Sequence, residues 1–205
     1  MWSHSIANID MGSAREGLER KTGMIMSRIT LYFDGSCEPN PDGFASIGVY
    51  VPELDLQISE TMGEGLGMTS VLAEYQALLI GLRSVREHLS EGDELLVFGD
   101  STVVIRQVKG EYRVKSGHLK EINEDCRSII RELATRRVTV ILDPVSRVLN
   151  HVADELSHRP LLEHPSVKKY GMCECGGIFV PRQGRYGEFL GCSHFPSCRK
   201  NRPMP

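Results

Sequence analysis

From Arg28 onward, apolar and polar positions alternate with short, readable periods. Ile29-Thr30-Leu31-Tyr32-Phe33 is a β-branched and aromatic run that ends at Asp34-Gly35, which predicts a strand. Glu38 to Gly43 gathers Pro39, Asn40, Pro41 and Asp42 and reads as a loop. Residues 44–51 and 54–62 read as two further strands joined at Pro52-Glu53. Over residues 69–89, Leu72, Tyr75, Leu79 and Leu82 recur at helical spacing, with Val71, Leu78 and Val85 widening the stripe and Thr69 or Ser70 able to cap it. Leu95-Leu96-Val97-Phe98 is a short apolar strand ending at Gly99-Asp100. A short helix over 101–108, a long helix carrying Leu119, Ile122, Cys126, Ile129 and Leu133, a strand over Val138 to Leu142, and a last helix near 148–158 complete the series. Three hairpin strands followed by alternating units predict an α/β fold, a mixed five-stranded sheet with helices on its faces. Before this body, residues 1–27 have weak periodicity and read as a flexible leader, with Met24 or Met26 as a candidate start. Residues 161–170 read as a linker to a distinct tail over 171–205.

Four carboxylates stand at positions where chemistry is usual. Asp34 and Asp100 sit at predicted strand ends, Glu74 opens the long helix, and Asp154 lies on the last helix. One such acid alone is most often a cap or a dipole partner. Several held together repel one another, and a hard divalent cation with oxygen ligands offsets that repulsion. The residues alone therefore predict an acidic site for Mg²⁺ or Mn²⁺, and a pair of such ions suits phosphodiester cleavage.

The words around these acids carry a more specific signal. They are Tyr32-Phe33-Asp34-Gly35-Ser36-Cys37-Glu38-Pro39-Asn40-Pro41, then Ala73-Glu74-Tyr75-Gln76-Ala77-Leu78, then Gly99-Asp100-Ser101 with Val103-Val104, then Asn150-His151-Val152-Ala153-Asp154-Glu155-Leu156. Over residues 28–160 this set resembles the type 1 ribonuclease H family. The resemblance implies a ribonuclease H-like fold in which Asp34, Glu74, Asp100 and Asp154 are catalytic ligands of two Mg²⁺ or Mn²⁺ ions. It also implies hydrolysis of the RNA strand of an RNA/DNA hybrid, with in-line attack by water and a 5′-phosphate left on the product. Cys37 and Asn40 match loop positions that touch the hybrid backbone in the family, although Cys37 reads equally well as a small buried residue. Asn150, four residues before Asp154 and so on the same helix face, is a candidate to orient that acid or to touch substrate.

Three departures accompany the resemblance. The family's paired asparagines, which read the RNA 2′-hydroxyl, are Ser70 and Val71 here; the Ser70 hydroxyl can still bond, while Val71 offers only its backbone. The catalytic-loop histidine found in some members is Pro144 here, leaving His151 and His158, at i−3 and i+4 from Asp154, as substitutes or as plain surface histidines. The segment between Val108 and His118 is too short for the basic helix with which some members grip the hybrid.

The tail has its own signature: Cys173-Glu174-Cys175-Gly176-Gly177, then Gly184-Arg185-Tyr186-Gly187-Glu188-Phe189-Leu190-Gly191-Cys192, then His194-Phe195-Pro196-Ser197-Cys198. Two close cysteines on each side of a hairpin suit a tetrahedral Zn²⁺ held by four thiolates, and so short a segment needs a metal to fold. The tail resembles the C4 zinc ribbon of type IA DNA topoisomerases, which implies Cys173, Cys175, Cys192 and Cys198 as ligands of one structural Zn²⁺. The first pair is spaced Cys-x-Cys where two intervening residues are usual, so His194 is a further candidate ligand. Arg185, Tyr186 and Phe189 are candidates for contact with single-stranded nucleic acid, since aromatics stack on unpaired bases while cations follow phosphates; each aromatic reads equally as ribbon core.

Charge is informative only when divided between these parts. The whole chain carries −3, which taken alone argues against a nucleic-acid binder. From His164 onward, however, there are seven basic and two acidic residues, a net +5, so the preceding body carries −8. That basic tail is expected to serve as the grip that the missing helix would have supplied. No apolar run reaches a membrane-spanning length of about 18 residues, and the N-terminal residues lack the apolar core of a secretory signal. These features predict a monomer in a reducing, cytoplasmic compartment with no membrane partner. The leading expectation is a metal-dependent endoribonuclease. A non-catalytic nucleic-acid-binding adaptor, or an interaction module with purely structural zinc, are the alternatives.

Overall fold

The computed structural model describes residues 26–205. The leader therefore lies outside the described residues up to position 25. Ser27, assigned to it, is instead tied down, its amide donating to Asp93 Oδ1 at 2.8 Å.

The body is a five-stranded sheet in the order β3-β2-β1-β4-β5. Strands β1 (Arg28–Glu38), β2 (Phe44–Val51) and β3 (Leu56–Glu64) form antiparallel pairs, while β4 (Glu94–Gly99) and β5 (Thr139–Pro144) add in parallel. Strand side chains alternate between faces. Ile29, Leu31 and Phe33 of β1 and Ile47, Val49 and Val51 of β2 point into one large core. That face is covered by α1 (Ser70–Val85), α2 (Thr102–Lys109) and α3 (Gly117–Thr135), which contribute Leu78, Leu82, Ile105, Ile129 and Leu133. Thr69 caps α1, its hydroxyl accepting from the Leu72 amide at 3.1 Å. Cys126 is fully buried in the same core, as its place on the stripe predicts.

The opposite face is small and polar. Ser36, Ser46 and Gly48 line it, and α4 (His151–Leu162) lies directly on them. A Cβ on Gly48 would stand 2.1 Å from the Ala153 carbonyl oxygen, so only glycine permits this approach. On the first face, a Cβ on Gly35 would stand 2.1 Å from the Glu74 amide nitrogen. These two glycines let a helix touch each side of the sheet at the height of Asp34.

Three elements differ from the sequence expectation. β1 does not end at Asp34 but runs on to Glu38, because residues 34–38 keep pairing with β2 as far as Glu38 opposite Phe44. Asp34 is thus a mid-strand residue, and Glu74 lies in the second turn of α1 rather than its first. α4 continues through Pro160 to Leu162. Proline removes the amide that would bond the Leu156 carbonyl, and the Ser59 hydroxyl of β3 donates to that carbonyl instead, at 2.8 Å. The linker is also structured. Pro165–Tyr170 forms a short helix, α5, started by proline at its first turn and by His164, whose Nδ1 accepts from the Ser166 amide.

The tail is a three-stranded antiparallel ribbon, β6 (Phe179–Gly184), β7 (Gly187–Cys192) and β8 (Asn201–Pro203), one strand more than a hairpin. It is docked on the body. Ile178 packs with Phe44 of β2 and Leu161 of α4 in a buried cluster, with Val167 and Val180 at its edge. The His164 ring lies 4.8 Å from that of Phe44, and with Nδ1 accepting, Nε2 carries the hydrogen and donates to Glu64 Oε2 at 3.2 Å.

Candidate active site

Three elements converge at the centre of β1. The pleat that turns Gly35 toward α1 turns Asp34 toward α4, where the Ser157 hydroxyl donates to its Oδ2. Asp34 is only 5% exposed. Glu74 stands on α1 beside Gly35, with the Ser101 hydroxyl donating to its Oε2 at 2.5 Å. Asp100 follows directly on β4, the parallel neighbour of β1. Asp154 comes from the first turn of α4, where Arg147 donates to its Oδ1 through Nε at 2.7 Å. Ligand atoms of Asp34, Asp154 and His158 lie within 4.8 Å of one another. The four acids named from the sequence are therefore brought together around a groove of about 560 Å³ that Asp34, Glu74 and Asp100 line.

The electrostatics of this set are those of a cation site. Burial pushes Asp34 up to about 7; Ser157 opposes the shift, while the charges of Asp100 and Asp154 add to it. Burial likewise drives Glu74 up to about 7, opposed by Ser101 and reinforced by Asp34 and Asp100. Both groups sit well above the ordinary carboxylate range chiefly because burial penalises their charged forms, and secondly because neighbouring carboxylates repel them. A donor set made only of carboxylate oxygens fits a hard divalent ion, which removes that penalty.

The neighbouring candidates fall into different places. Cys37 is buried with its thiol on the Pro39 carbonyl at 3.4 Å, yet lines the groove. Asn40 and Ser70 line it as a bonded pair: Asn40 Nδ2 donates to Ser70 Oγ at 3.0 Å, and the Ser70 amide to Asn40 Oδ1 at 3.2 Å. Asn150 is fully buried, with Nδ2 donating to the Phe33 carbonyl at 3.0 Å. It supports the backbone beneath Asp34 and has no surface to offer a substrate. His158 lines the groove, and since a carbonyl can only accept, its Nδ1 carries the proton donated to the Asp154 carbonyl at 2.8 Å, leaving Nε2 as the basic position. His151 is turned to the Val148 carbonyl on the exposed side.

Sequence reasoning missed Arg147 and Ser157, which hold Asp154 and Asp34, because no word of the recognised set contains them. It also missed the wall that the ribbon contributes. Ser193, His194, Phe195 and Ser197 line the groove, and His194 Nε2 bonds Glu38 Oε2 at 2.8 Å. Arg185, Tyr186 and Phe189 lie apart from the groove, at the β6–β7 tip.

The four ribbon cysteines form a metal-sized cluster, with Sγ atoms all within 4.8 Å. Cys173 and Cys198 sulfurs are 3.7 Å apart and those of Cys175 and Cys192 3.3 Å. Tetrahedral thiolates at about 2.3 Å from zinc stand roughly 3.8 Å apart, so the set fits Zn²⁺ despite the Cys-x-Cys spacing. The Gly177 amide, with the Cys192 thiol, draws Cys175 down to about 6. His194 Nδ1 lies 3.5 Å from Cys175 Sγ, but its other nitrogen is committed to Glu38.

Comparison with known proteins agrees with this division. The family model described as "Reverse transcriptase-like" matches residues 52–159, a span that includes Glu74, Asp100 and Asp154 but begins after Asp34. A second model, "Topoisomerase DNA binding C4 zinc finger", matches residues 171–205. The chain is similar to RNase H1 from Halobacterium salinarum, at 25% identity and a TM-score of 0.57 over 67% of this chain and all of that one. It is similar to LC11-RNase H1, isolated from compost, at 33% identity and a TM-score of 0.53 over 64% of this chain and 93% of that one. A further structure of that enzyme is a complex with RNA/DNA hybrid. Among curated proteins, 30 residues are 60% identical to DNA topoisomerase 1 of Methanothermobacter thermautotrophicus. That match spans 14% of this chain and only 4% of the topoisomerase.

Proposed function

This chain belongs to the reverse transcriptase-like family and carries a topoisomerase-type C4 zinc ribbon, and from that premise we propose that it is a divalent-metal-dependent endoribonuclease acting on the RNA strand of RNA/DNA hybrids. The observation that carries the proposal is the convergence of Asp34, Glu74, Asp100 and Asp154 at the meeting point of β1, α1, β4 and α4. The hybrid bound by the similar LC11 enzyme supports the choice of substrate.

The four acids would hold two Mg²⁺ or Mn²⁺ ions, which when bound activate water and stabilise the leaving oxygen of phosphodiester hydrolysis. The chain's own residues prepare that chemistry. Ser157 and Ser101 fix the rotamers of Asp34 and Glu74 and favour their ionised forms. Arg147 holds Asp154 in place. His158 lines the groove with Nδ1 on the Asp154 carbonyl, which leaves Nε2 as the nitrogen to take a proton from product or water. The Asn40–Ser70 pair stands where the strand to be cut would enter, and offers a hydroxyl and an amide to the 2′-hydroxyls of RNA. The basic ribbon assists binding, because the acidic groove itself repels a polyanion.

The deciding experiment incubates labelled hybrid, RNA duplex and DNA duplex with the full chain, in Mg²⁺ or in chelator. Metal-dependent cleavage confined to the RNA of the hybrid is expected. Asp34→Asn should abolish it while leaving the circular dichroism spectrum unchanged. Binding without cleavage of any substrate would favour the adaptor alternative, and wild-type turnover by Asp34→Asn would overturn the metal assignment.

A further inference from the structure

We infer that the preferred substrate is a junction, an RNA/DNA hybrid continued by an unpaired strand, with the hybrid in the acidic groove and the unpaired nucleotides on the ribbon. The inference rests on the reading of the groove as a hybrid-cleaving site. Its own basis is a second cavity that shares a wall with that groove.

The loop between Cys192 and Cys198 is that wall. On one side its residues Ser193, His194 and Phe195 face the catalytic groove. On the other, Phe195 borders a cavity of about 510 Å³ whose cations are Arg182, Arg199 and Lys200. Phe195 is 58% exposed and is the residue common to the catalytic groove, the basic cavity and the loop. Phe189 lines the basic cavity and also borders the ribbon tip, where Tyr186 is 94% exposed with the Arg185 guanidinium 5.6 Å from its ring. Three aromatic rings therefore lead away from the groove, with cations beside them.

A paired base is stacked on both faces and cannot use such rings, whereas an unpaired base can, and its phosphate then meets the cations. Arg182 is set for this role. Its guanidinium lies 5.7 Å from the Phe195 ring, it donates to the Cys192 carbonyl at 3.1 Å, and its buried Nε has no partner. The path is also fixed in space. His194 on Glu38 and Ile178 against Phe44 and Leu161 hold the ribbon to the body, so groove and cavity keep one spacing. A flexible tether would raise affinity for any nearby strand; a rigid wall selects a strand that continues from the duplex.

The test measures binding of the full chain, by fluorescence anisotropy in chelator, to one blunt hybrid and to the same hybrid bearing an unpaired DNA or RNA extension at either end. At least one extended hybrid should bind roughly tenfold more tightly than the blunt one, in keeping with stacking of one or two bases. Phe195→Ala and, independently, Arg199→Ala should reduce that ratio toward one. Equal affinity for blunt and extended hybrids would overturn the inference. Cleavage of the blunt hybrid in Mg²⁺, measured alongside, separates the two readings: a chain that binds and cuts blunt hybrid without preferring extensions refutes only the junction, while one that cuts no hybrid at all refutes the nuclease reading.

Discussion

At the scale of single residues, the acids were legible and their supports were not. Asp34, Glu74, Asp100 and Asp154 stand inside short sequence words that a single chain displays, because each is presented by its own local backbone. Ser157 reaches Asp34 through one hydrogen bond and Arg147 reaches Asp154 through two, contacts that leave no local pattern. The same local view left Asn150 either to orient Asp154 or to touch substrate, whereas its full burial and its bond to the Phe33 carbonyl make it a brace. The burial of two of these acids, reinforced by their neighbours' charge, has a measurable consequence. Both Asp34 and Glu74 are raised to about 7 in the folded state from ordinary values of 3.8 and 4.5. Between those limits the folded chain binds more protons than the unfolded one, so stability without metal falls as pH rises from about 4 to about 7. On the proposed assignment, Mg²⁺ held by the ionised acids would reverse the loss. Melting in chelator and in Mg²⁺ should therefore diverge with pH, with a larger metal-induced rise in Tm at about pH 8 than at about pH 5. A metal effect independent of pH would show that these carboxylates are not the ligands. Asp34→Asn should flatten the chelator profile, since it removes one of the two titrating groups.

At the scale of elements, the sequence pattern located every strand and α-helix of the body, and failed where pairing or packing overrode local signals. β1 crosses Asp34-Gly35 because β2 supplies pairing partners from Tyr32 through Glu38, a fact about β2 rather than about residues 34–38. α4 crosses Pro160 because Ser59, on another strand, satisfies the carbonyl that proline orphans. This compensation can be tested by a double-mutant cycle. Ser59→Ala leaves the Leu156 carbonyl without a donor beside a residue only 1% exposed, and should cost about 1–3 kcal/mol by chemical denaturation. Pro160→Ala restores a backbone amide at the position that bonds it. In that background Ser59→Ala should cost under about 1 kcal/mol, the ordinary net worth of one hydrogen bond. Additive costs would mean that the hydroxyl and the missing amide are unrelated. Gly48 belongs to the same interface, and Gly48→Ala should push α4 off the sheet, at about 1–3 kcal/mol for overpacking.

At the scale of the whole molecule, the two parts were legible separately, by charge and by cysteine spacing, while their union was not. The Glu38–His194 bond joins residues 156 apart, and no local pattern announces such a pair. Its effect is that the net charge of −3 describes neither part: an acidic body meets a ribbon whose cations adjoin the acidic groove. If the ribbon provides the electrostatic grip, salt must reveal it, because every phosphate that the protein ceases to neutralise makes the dependence of log affinity on log salt shallower by about 0.9. Removing residues 164–205 deletes seven basic and two acidic residues and should weaken hybrid binding at low salt while flattening that slope by roughly 2–4. The truncation also uncovers Phe44 and Leu161, so it needs a partner measurement that leaves the ribbon in place. Neutralising Arg182, Arg199 and Lys200 together in the full chain serves this purpose and should reproduce most of the change in slope with the ribbon still docked. A slope unchanged in both chains would place the phosphate-binding cations on the body, where Lys109 at the end of α2 and Arg113 and Lys115 in the α2–α3 connection form a basic group. A slope changed by truncation alone would mean that the ribbon acts by closing the groove, through the His194–Glu38 bond, rather than by its charge.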